Sequence, residues 1–236
     1  MPRTSLDRKI QNLLNEILIL DSMVEDAILK SVEALAKQDF NQARSIYEFD
    51  KRINARRFEL ENAVILTITT EQPIMAGDLR LTASILEVVG ELERIGDYAK
   101  GIAKICFLIG NQPHIKPLID IPKMSELTVD MLNRAVGAFV NSDVEKARSI
   151  PAEDDLVDAL YNQVYCELVD IMIQDPSTVD QANHLMWAAH NLERMADRVT
   201  NICERTVYVV TGKMIETTAE ELLQVEIRAG SRGFSL

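Results

Sequence analysis

From Arg3 to Gln72 the chain contains neither glycine nor proline. A stretch of that length with no turn-forming residue is compatible with long helices and little else. Its apolar residues keep helical time. Leu6, Ile10, Leu13, Ile17, Leu20, Val24 and Ala27 are separated by steps of four and three, the seam of a helix packed in a bundle. The spacing predicts a first helix to about Lys37. A second, opened by Asp39 as N-cap, runs through Ala43, Ile46, Ile53 and Leu60 to about Thr70. Pro73 and Gly77 interrupt the pattern, and a third helix follows from about Asp78 to Ile109.

Beyond a linker marked by Asn111-Gln112-Pro113, Pro117 and Pro122, the chain says the same thing again. Leu92-Glu93-Arg94-Ile95-Gly96-Asp97 returns as Leu192-Glu193-Arg194-Met195-Ala196-Asp197, offset by 100 residues, and Ala43-Arg44-Ser45-Ile46 returns as Ala147-Arg148-Ser149-Ile150, offset by 104. The change of offset places a short length difference near Pro73 and Pro176. Leu132, Val136 and Phe139 fall in a fourth helix, and Ser142 with Glu145 reads as a capping box for a fifth. Ser177 with Asp180 reads as the cap of a sixth, which ends near Thr211 with Gly212 beyond it. The expected fold is all-α: two tandem three-helix bundles made by internal duplication, six long helices in all. Residues 1–112 form the first bundle, 120–213 the second, and 214–236 a tail or short docking helix.

Each copy of the Leu-Glu-Arg-x-x-Asp motif sets two carboxylates four residues apart, on one helix face and one turn apart. Like charges so placed cost about 0.2–0.5 kcal/mol if nothing offsets them. The repeat alignment adds a second pair on the preceding helix, Asp50/Asn54 in the first half and Asp154/Asp158 in the second. If the two faces of each half meet, Asp50, Glu93 and Asp97 converge with one amide, and Asp154, Asp158, Glu193 and Asp197 converge as four acids. A compensating cation is then expected. One choice is a metal, for which an all-oxygen set suits magnesium, calcium, manganese or iron. The other is an Arg or Lys from a neighbouring helix, with Arg94 and Arg194 as candidates for a metal-free ion network. His190, on the Glu193 stripe, is a further candidate for the second set, and its counterpart is Gly90. A single acid pair is most often plain solvated surface; duplication on two helices is what raises these above it. Met131, Met172, Met186 and Trp187 sit at core-like spacings and read as packing.

The net charge of −12 is uneven, −3 up to Gln112 and −9 beyond it. An acidic surface repels phosphate backbones and anionic lipid, so no nucleic-acid partner is expected. Cys106, Cys166 and Cys203 show no metal-binding spacing and suit a reduced, cytoplasmic setting. No uncharged apolar run reaches the roughly 20 residues of a membrane span, which leaves peripheral docking at most. Nothing supports catalysis: there is no nucleophile elbow and no glycine-rich phosphate loop. A diiron-carboxylate enzyme, the rival class, needs Glu-x-x-His motifs, and none of His114, His184 or His190 has a Glu three residues before it. A metal-free structural adaptor is the other alternative.

The paired Leu-Glu-Arg-x-x-Asp motifs, the duplicated three-helix plan and the segment Gln72-Pro73-Ile74-Met75-Ala76-Gly77-Asp78-Leu79-Arg80 resemble the PhoU family, over about Leu6 to Gly212. The resemblance implies tandem three-helix bundles. It also implies a negative regulator of phosphate uptake and phosphate-starvation signalling, whose partners are the ATPase subunit of a phosphate ABC transporter and a sensor histidine kinase. Long amphipathic bundles often self-associate, which makes a homodimer a further candidate partner state. The resemblance implies metal ions, iron, zinc or manganese among them, on Glu93/Asp97, Asp154/Asp158 and Glu193/Asp197, with Asp50 in a fourth motif. That fourth motif departs from the pattern, because the Asn54 amide oxygen is a weaker cation ligand than a carboxylate.

Overall fold

A computed structural model describes residues 3–214. Among them there is no strand, and the helices are α1 (Arg3–Lys37), α2 (Phe40–Thr70), α3 (Ala76–Ile109), α4 (Asp120–Asn141), α5 (Val144–Ser149), α6 (Asp154–Gln174) and α7 (Val179–Thr211). α1, α2, α3 and α7 each have more than thirty residues, rods of about 45–50 Å. The tail expected from 214 to 236 lies outside the described residues, apart from Met214. No described helix is long and apolar enough to cross a membrane.

The first three helices end where the periodicity predicts, and the duplication extends into the turns. Gln38 closes α1 and Ser142 closes α4 in the same left-handed conformation, φ 54°. The next residue caps the following helix each time. Asp39 Oδ1 accepts from the amides of Asn41 and Gln42 at 2.9 and 3.0 Å, and Asp143 Oδ1 from the amide of Lys146 at 3.0 Å. Ser142 is therefore a terminator and not the cap expected of it. The Ser177 cap is also corrected. Asp175 accepts from the Ser177 amide and hydroxyl, stabilising a 3₁₀ turn at Pro176–Thr178 that leads into α7. Gly212 ends α7 at φ 71°, donating its N–H to Tyr208.

The fifth helix is where the halves part. Tyr47 lies inside the unbroken α2, but its counterpart is Pro151, which has no N–H for Ala147 and crowds that carbonyl. The rod becomes α5, a 3₁₀ turn at Pro151–Glu153, and α6, all with near-helical backbone. Glu153 in that turn receives both ends of the Arg134 guanidinium from α4.

α3 and α7 occupy the middle. α3 packs on α1, α2 and α7, and α7 on α3, α4, α5 and α6. They meet antiparallel: Glu91 accepts from Asn201 at 3.3 Å, and at the equivalent point of the crossing Asn191 lies against Gly101, where a β-carbon would come within 2.8 Å of it. One apolar core runs through both halves with matched residues, Val88/Ala188, Leu92/Leu192, Ile95/Met195, Ala99/Val199 and Ile102/Ile202, all buried. α2 approaches α3 so closely at Gly96 that a β-carbon would lie 3.2 Å from Ile53. The second half has Ala196 facing Val157. One carbon has moved across the interface and the volume is conserved, the change cores accept most readily. Met131 is in this core and Met172 and Met186 pack against it, but Trp187 is 61% exposed. Leu185, Ala188, Ala189 and Leu192 take the inward stripe of α7 and leave Trp187 on the outer flank.

α1 adds an acid pair that the sequence reading passed over. Asp21 is only 4% exposed, and its Oδ1, like Glu25 Oε1, is buried with no hydrogen-bond partner. Burial first, and Glu25 second, push the Asp21 carboxyl up to about 8. The folded chain therefore holds a proton that the unfolded chain releases near 3.8, and stability falls as pH rises between these values, completely by about 8. Asp21→Asn is expected to leave the melting temperature near pH 4 unchanged and to raise it by several degrees at pH 8, at about 2–4 °C per kcal/mol. Thermal melts across this range check it, and an equal effect at both ends would refute the assignment.

Candidate functional site

The acid pairs of each half do face one another across a helix contact, α2 with α3 and α6 with α7. In the first set Asp50, on α2, is nearly inaccessible. Its Oδ2 accepts from Lys100 Nζ at 2.7 Å and from Asn54 Nδ2 at 3.0 Å, while Oδ1 is buried without a partner. Lys100 is one turn beyond Asp97 and two beyond Glu93 on α3. It also lies 3.7 Å from Asp97 Oδ1 and 5.5 Å from the centre of the Tyr47 ring. Arg57, on α2, holds Glu93 at 2.9 Å and Glu61 at 2.8 Å. Burial pushes the Glu93 carboxyl up, with Arg57 pulling against it. Burial and then Asp50 push Asp97 up, with Lys100 pulling against them. The hydrogen bond to Asp50 raises the Lys100 ammonium, so this lysine is firmly charged.

The second set has the same geometry and much less positive charge. Asp154 and Asp158 open α6, and Glu193 and Asp197 project from α7. Burial, followed by the charges of Asp158, Asp197 and Glu193, pushes Asp154 up to about 7. Asp158 rises through burial and Asp197, and Glu193 through burial and Asp197, with His190 opposing. Asp154 Oδ1 and Glu193 Oε2 are buried without hydrogen bonds. His190 Nδ1 is 3.1 Å from Glu193 Oε2 but not aligned to bond it, and its ring tilts against Tyr161 at 5.9 Å. The cation nearest the set is Arg194, 2.9 Å from Asp197 on the same helix and hydrogen-bonded also to the Tyr98 hydroxyl of α3.

All seven acids singled out from the sequence are thus gathered into their two expected sets. Among the described residues, no three His, Cys, Asp or Glu side chains are drawn in as tightly as ion coordination requires. The Arg94 and Arg194 alternative is only partly realised, since each meets an acid three residues away on its own helix. The cations that reach these acid sets across a helix contact are Arg57 and Lys100, which the sequence reading missed. The signal was in the repeat alignment: Lys100 is matched by Thr200, Arg57 by Tyr161 and Tyr47 by Pro151.

The PhoU domain matches this chain twice, over residues 17–106 and 121–206. A relative from Clostridium acetobutylicum, "Phosphate-specific transport system accessory protein PhoU homolog", is 37% identical over 216 residues, 92% of this chain and 99% of the relative. The Escherichia coli protein "Phosphate-specific transport system accessory protein PhoU" is 30% identical over 87% of this chain and 85% of its own length. Among solved structures, the phosphate transport system regulatory protein PhoU from Streptococcus pneumoniae superposes with a TM-score of 0.83 at 28% identity, covering 89% of this chain and 99% of that one. PhoU from Pseudomonas aeruginosa gives 0.82 at 28% identity, over 88% and 99%. With two domain matches spanning both bundles and relatives matched over nearly their whole length, the chain belongs to the PhoU family.

Proposed function

We propose that this chain is a non-enzymatic negative regulator of phosphate uptake and phosphate-starvation signalling, acting by contact with the ATPase subunit of a phosphate ABC transporter and with a sensor histidine kinase. The observation that carries the reading is the end-to-end match to relatives named as accessory proteins of a phosphate-specific transport system. A rigid double bundle with a strongly acidic second half suits recognition of basic partner surfaces.

A metal ion is part of the proposal, and the two acid sets differ in their fitness for one. Asp154, Asp158, Glu193 and Asp197 fit by donor chemistry: four carboxylates as hard oxygen ligands, two orphaned buried oxygens, and carboxyls of Asp154 and Glu193 raised by burial first and by neighbouring acids second. These four residues would hold the ion, with His190 at the margin. A bound dication supplies the missing positive charge and ties α6 to α7. Asp50, Glu93 and Asp97 fit poorly, because Lys100 and Arg57 already hold one oxygen of Asp50 and one of Glu93 and put positive charge beside the set. In this reading, occupancy of the second set fixes the α6–α7 surface and shifts affinity between the two partners.

Pull-down of the transporter ATPase subunit and of the kinase, with and without chelator, tests the function. Capture of both is expected, with chelator changing the balance, and capture of neither in either condition overturns it. Elemental analysis of protein purified without a histidine tag tests the metal. Bound iron, manganese or zinc is expected, and Glu193→Ala with Asp197→Ala is expected to remove it. Metal-free protein whose melting is indifferent to chelation would favour the plain helical adaptor.

A further inference from the structure

The first acid set is organised around a cation in a way that the second is not. Lys100 Nζ sits among Asp50 Oδ2, Asp97 Oδ1 and the face of Tyr47. The second half keeps both acids of that seat, as Asp154 and Asp197, and replaces the rest: Thr200 for the lysine and Pro151 for the ring. Arg57 is seated between Glu93 and Glu61, with the Phe58 ring beside it at 5.7 Å. There the second half keeps only the acid of α7, Glu193, and has Tyr161, Tyr165 and Asn162 at the other three positions. Asn54 follows the same logic, donating an N–H to Asp50 where the second half presents the acceptor Asp158.

We infer that the first half carries its own permanent counter-ion, the Lys100 ammonium backed by the Arg57 guanidinium, in the position where the second half takes a metal dication. The chain is then loaded with metal in one half only. The second-half limb of this inference rests on the metal reading above, and the Lys100 limb stands on the ion pairs of α2 and α3. The ammonium excludes a dication for two reasons. It occupies an oxygen of a carboxylate that is nearly closed to solvent and has no other cation on it among the described residues. It also places a unit of positive charge within a few ångströms of the seat, where repulsion in partly buried surroundings is strong. Displacing Lys100 would abandon its hydrogen bond to Asp50 and its place against Tyr47 together. The first bundle is thereby a metal-indifferent module and the second a metal-responsive one.

Manganese is a suitable probe, bound to tag-free protein by dialysis and counted per chain by elemental analysis, with melting temperature as a second readout. Asp154→Asn with Asp158→Asn is expected to abolish the manganese of the wild-type chain, whereas Glu93→Ala with Asp97→Ala leaves it in place. Lys100→Thr with Arg57→Tyr, which installs the second-half residues in the first half, is expected to gain bound manganese and a manganese-dependent rise in melting temperature. Adding Asp50→Asn removes both gains. If the double exchange folds poorly, Lys100→Gln keeps the side chain's bulk and its donor to Asp50 without the charge, and is expected to gain manganese as well. Manganese in the wild-type chain that disappears with Glu93→Ala and Asp97→Ala overturns the inference. A wild-type chain with no manganese at all overturns the metal reading of the second half. The Lys100 limb is then decided by the exchange variants, supported if they acquire manganese and refuted if they do not.

Discussion

α3 and α7 are each covered by other helices on several sides, and that enclosure sets the terms for every polar group they carry. Their apolar stripes are taken by α1 and α4 and by each other, so the paired acids Glu93/Asp97 and Glu193/Asp197 lie on the flanks that face α2 and α6. On an exposed helix a like-charged pair one turn apart costs a few tenths of a kcal/mol. On these half-buried flanks, with more acids facing from the next helix, the relevant scale is that of unit charges about 4 Å apart at an effective dielectric near 20, about 4 kcal/mol per pair. Repulsion of that size is not absorbed by small adjustments. Either a positive charge enters or protons are retained, and the carboxyls of Asp154, Asp158, Glu193, Glu93 and Asp97 are raised by burial first and by neighbouring acids in addition.

The two halves have met their shared constraints in different ways. Packing is conserved by compensation: Ile53 against Gly96 in one half is matched by buried Val157 and Ala196 in the other, one carbon smaller and one larger. Charge is not conserved. The first half has drawn two cations inward from α2 and α3, and the second has lost both and gained the carboxylate of Asp158. Shape tolerates only small departures because close-packed interiors register a single methylene. Charge at a half-open flank is freer, because an ion from solution can replace a side chain.

Much of this was legible in the sequence because it is written in periodicity. The apolar seam of α1, the Asp39 cap, the closing Gly212 and the gathering of seven acids into two sets all follow from spacing and from the repeat. The misses have physical causes. Ser142 has the composition of a cap, but the chain needs a left-handed residue there before Asp143 can cap, and only alignment with Gln38-Asp39 reveals that order. Pro151 was passed over in the spacing, yet it divides the fifth rod into α5, a 3₁₀ turn and α6. Trp187 looks apolar and therefore inward, but neighbouring alanines and leucines already fill that stripe. Asp21 disturbs no pattern, because an acid at a seam position is invisible to an analysis that follows only hydrophobic residues. Arg57 and Lys100 were hidden among surface-like charges, since reach across a helix contact depends on which flank a side chain leaves from and not on its distance along the chain.

The α3–α7 crossing gives the acid flanks a route to one another. Arg194 holds Asp197, an acid of the second set, and also the hydroxyl of Tyr98, which is next to Asp97 of the first set on α3. Arg198, next to Asp197, reaches Glu91 of α3 at 3.5 Å, beside the bond from Asn201. In the proposed reading a dication on Asp197 would compete directly with Arg194 for that carboxylate, and an arginine released from it would have Tyr98 as its remaining contact. The charge state of the α6–α7 flank is thus coupled through named contacts to the helix that carries the first set. The first set has its own fixed cations, so it supplies a constant reference against which that change is expressed. A bundle with two identical metal-dependent halves would loosen on both sides at once. In the proposed reading, a first half that carries its own two cations holds the fold while the second responds to an ion.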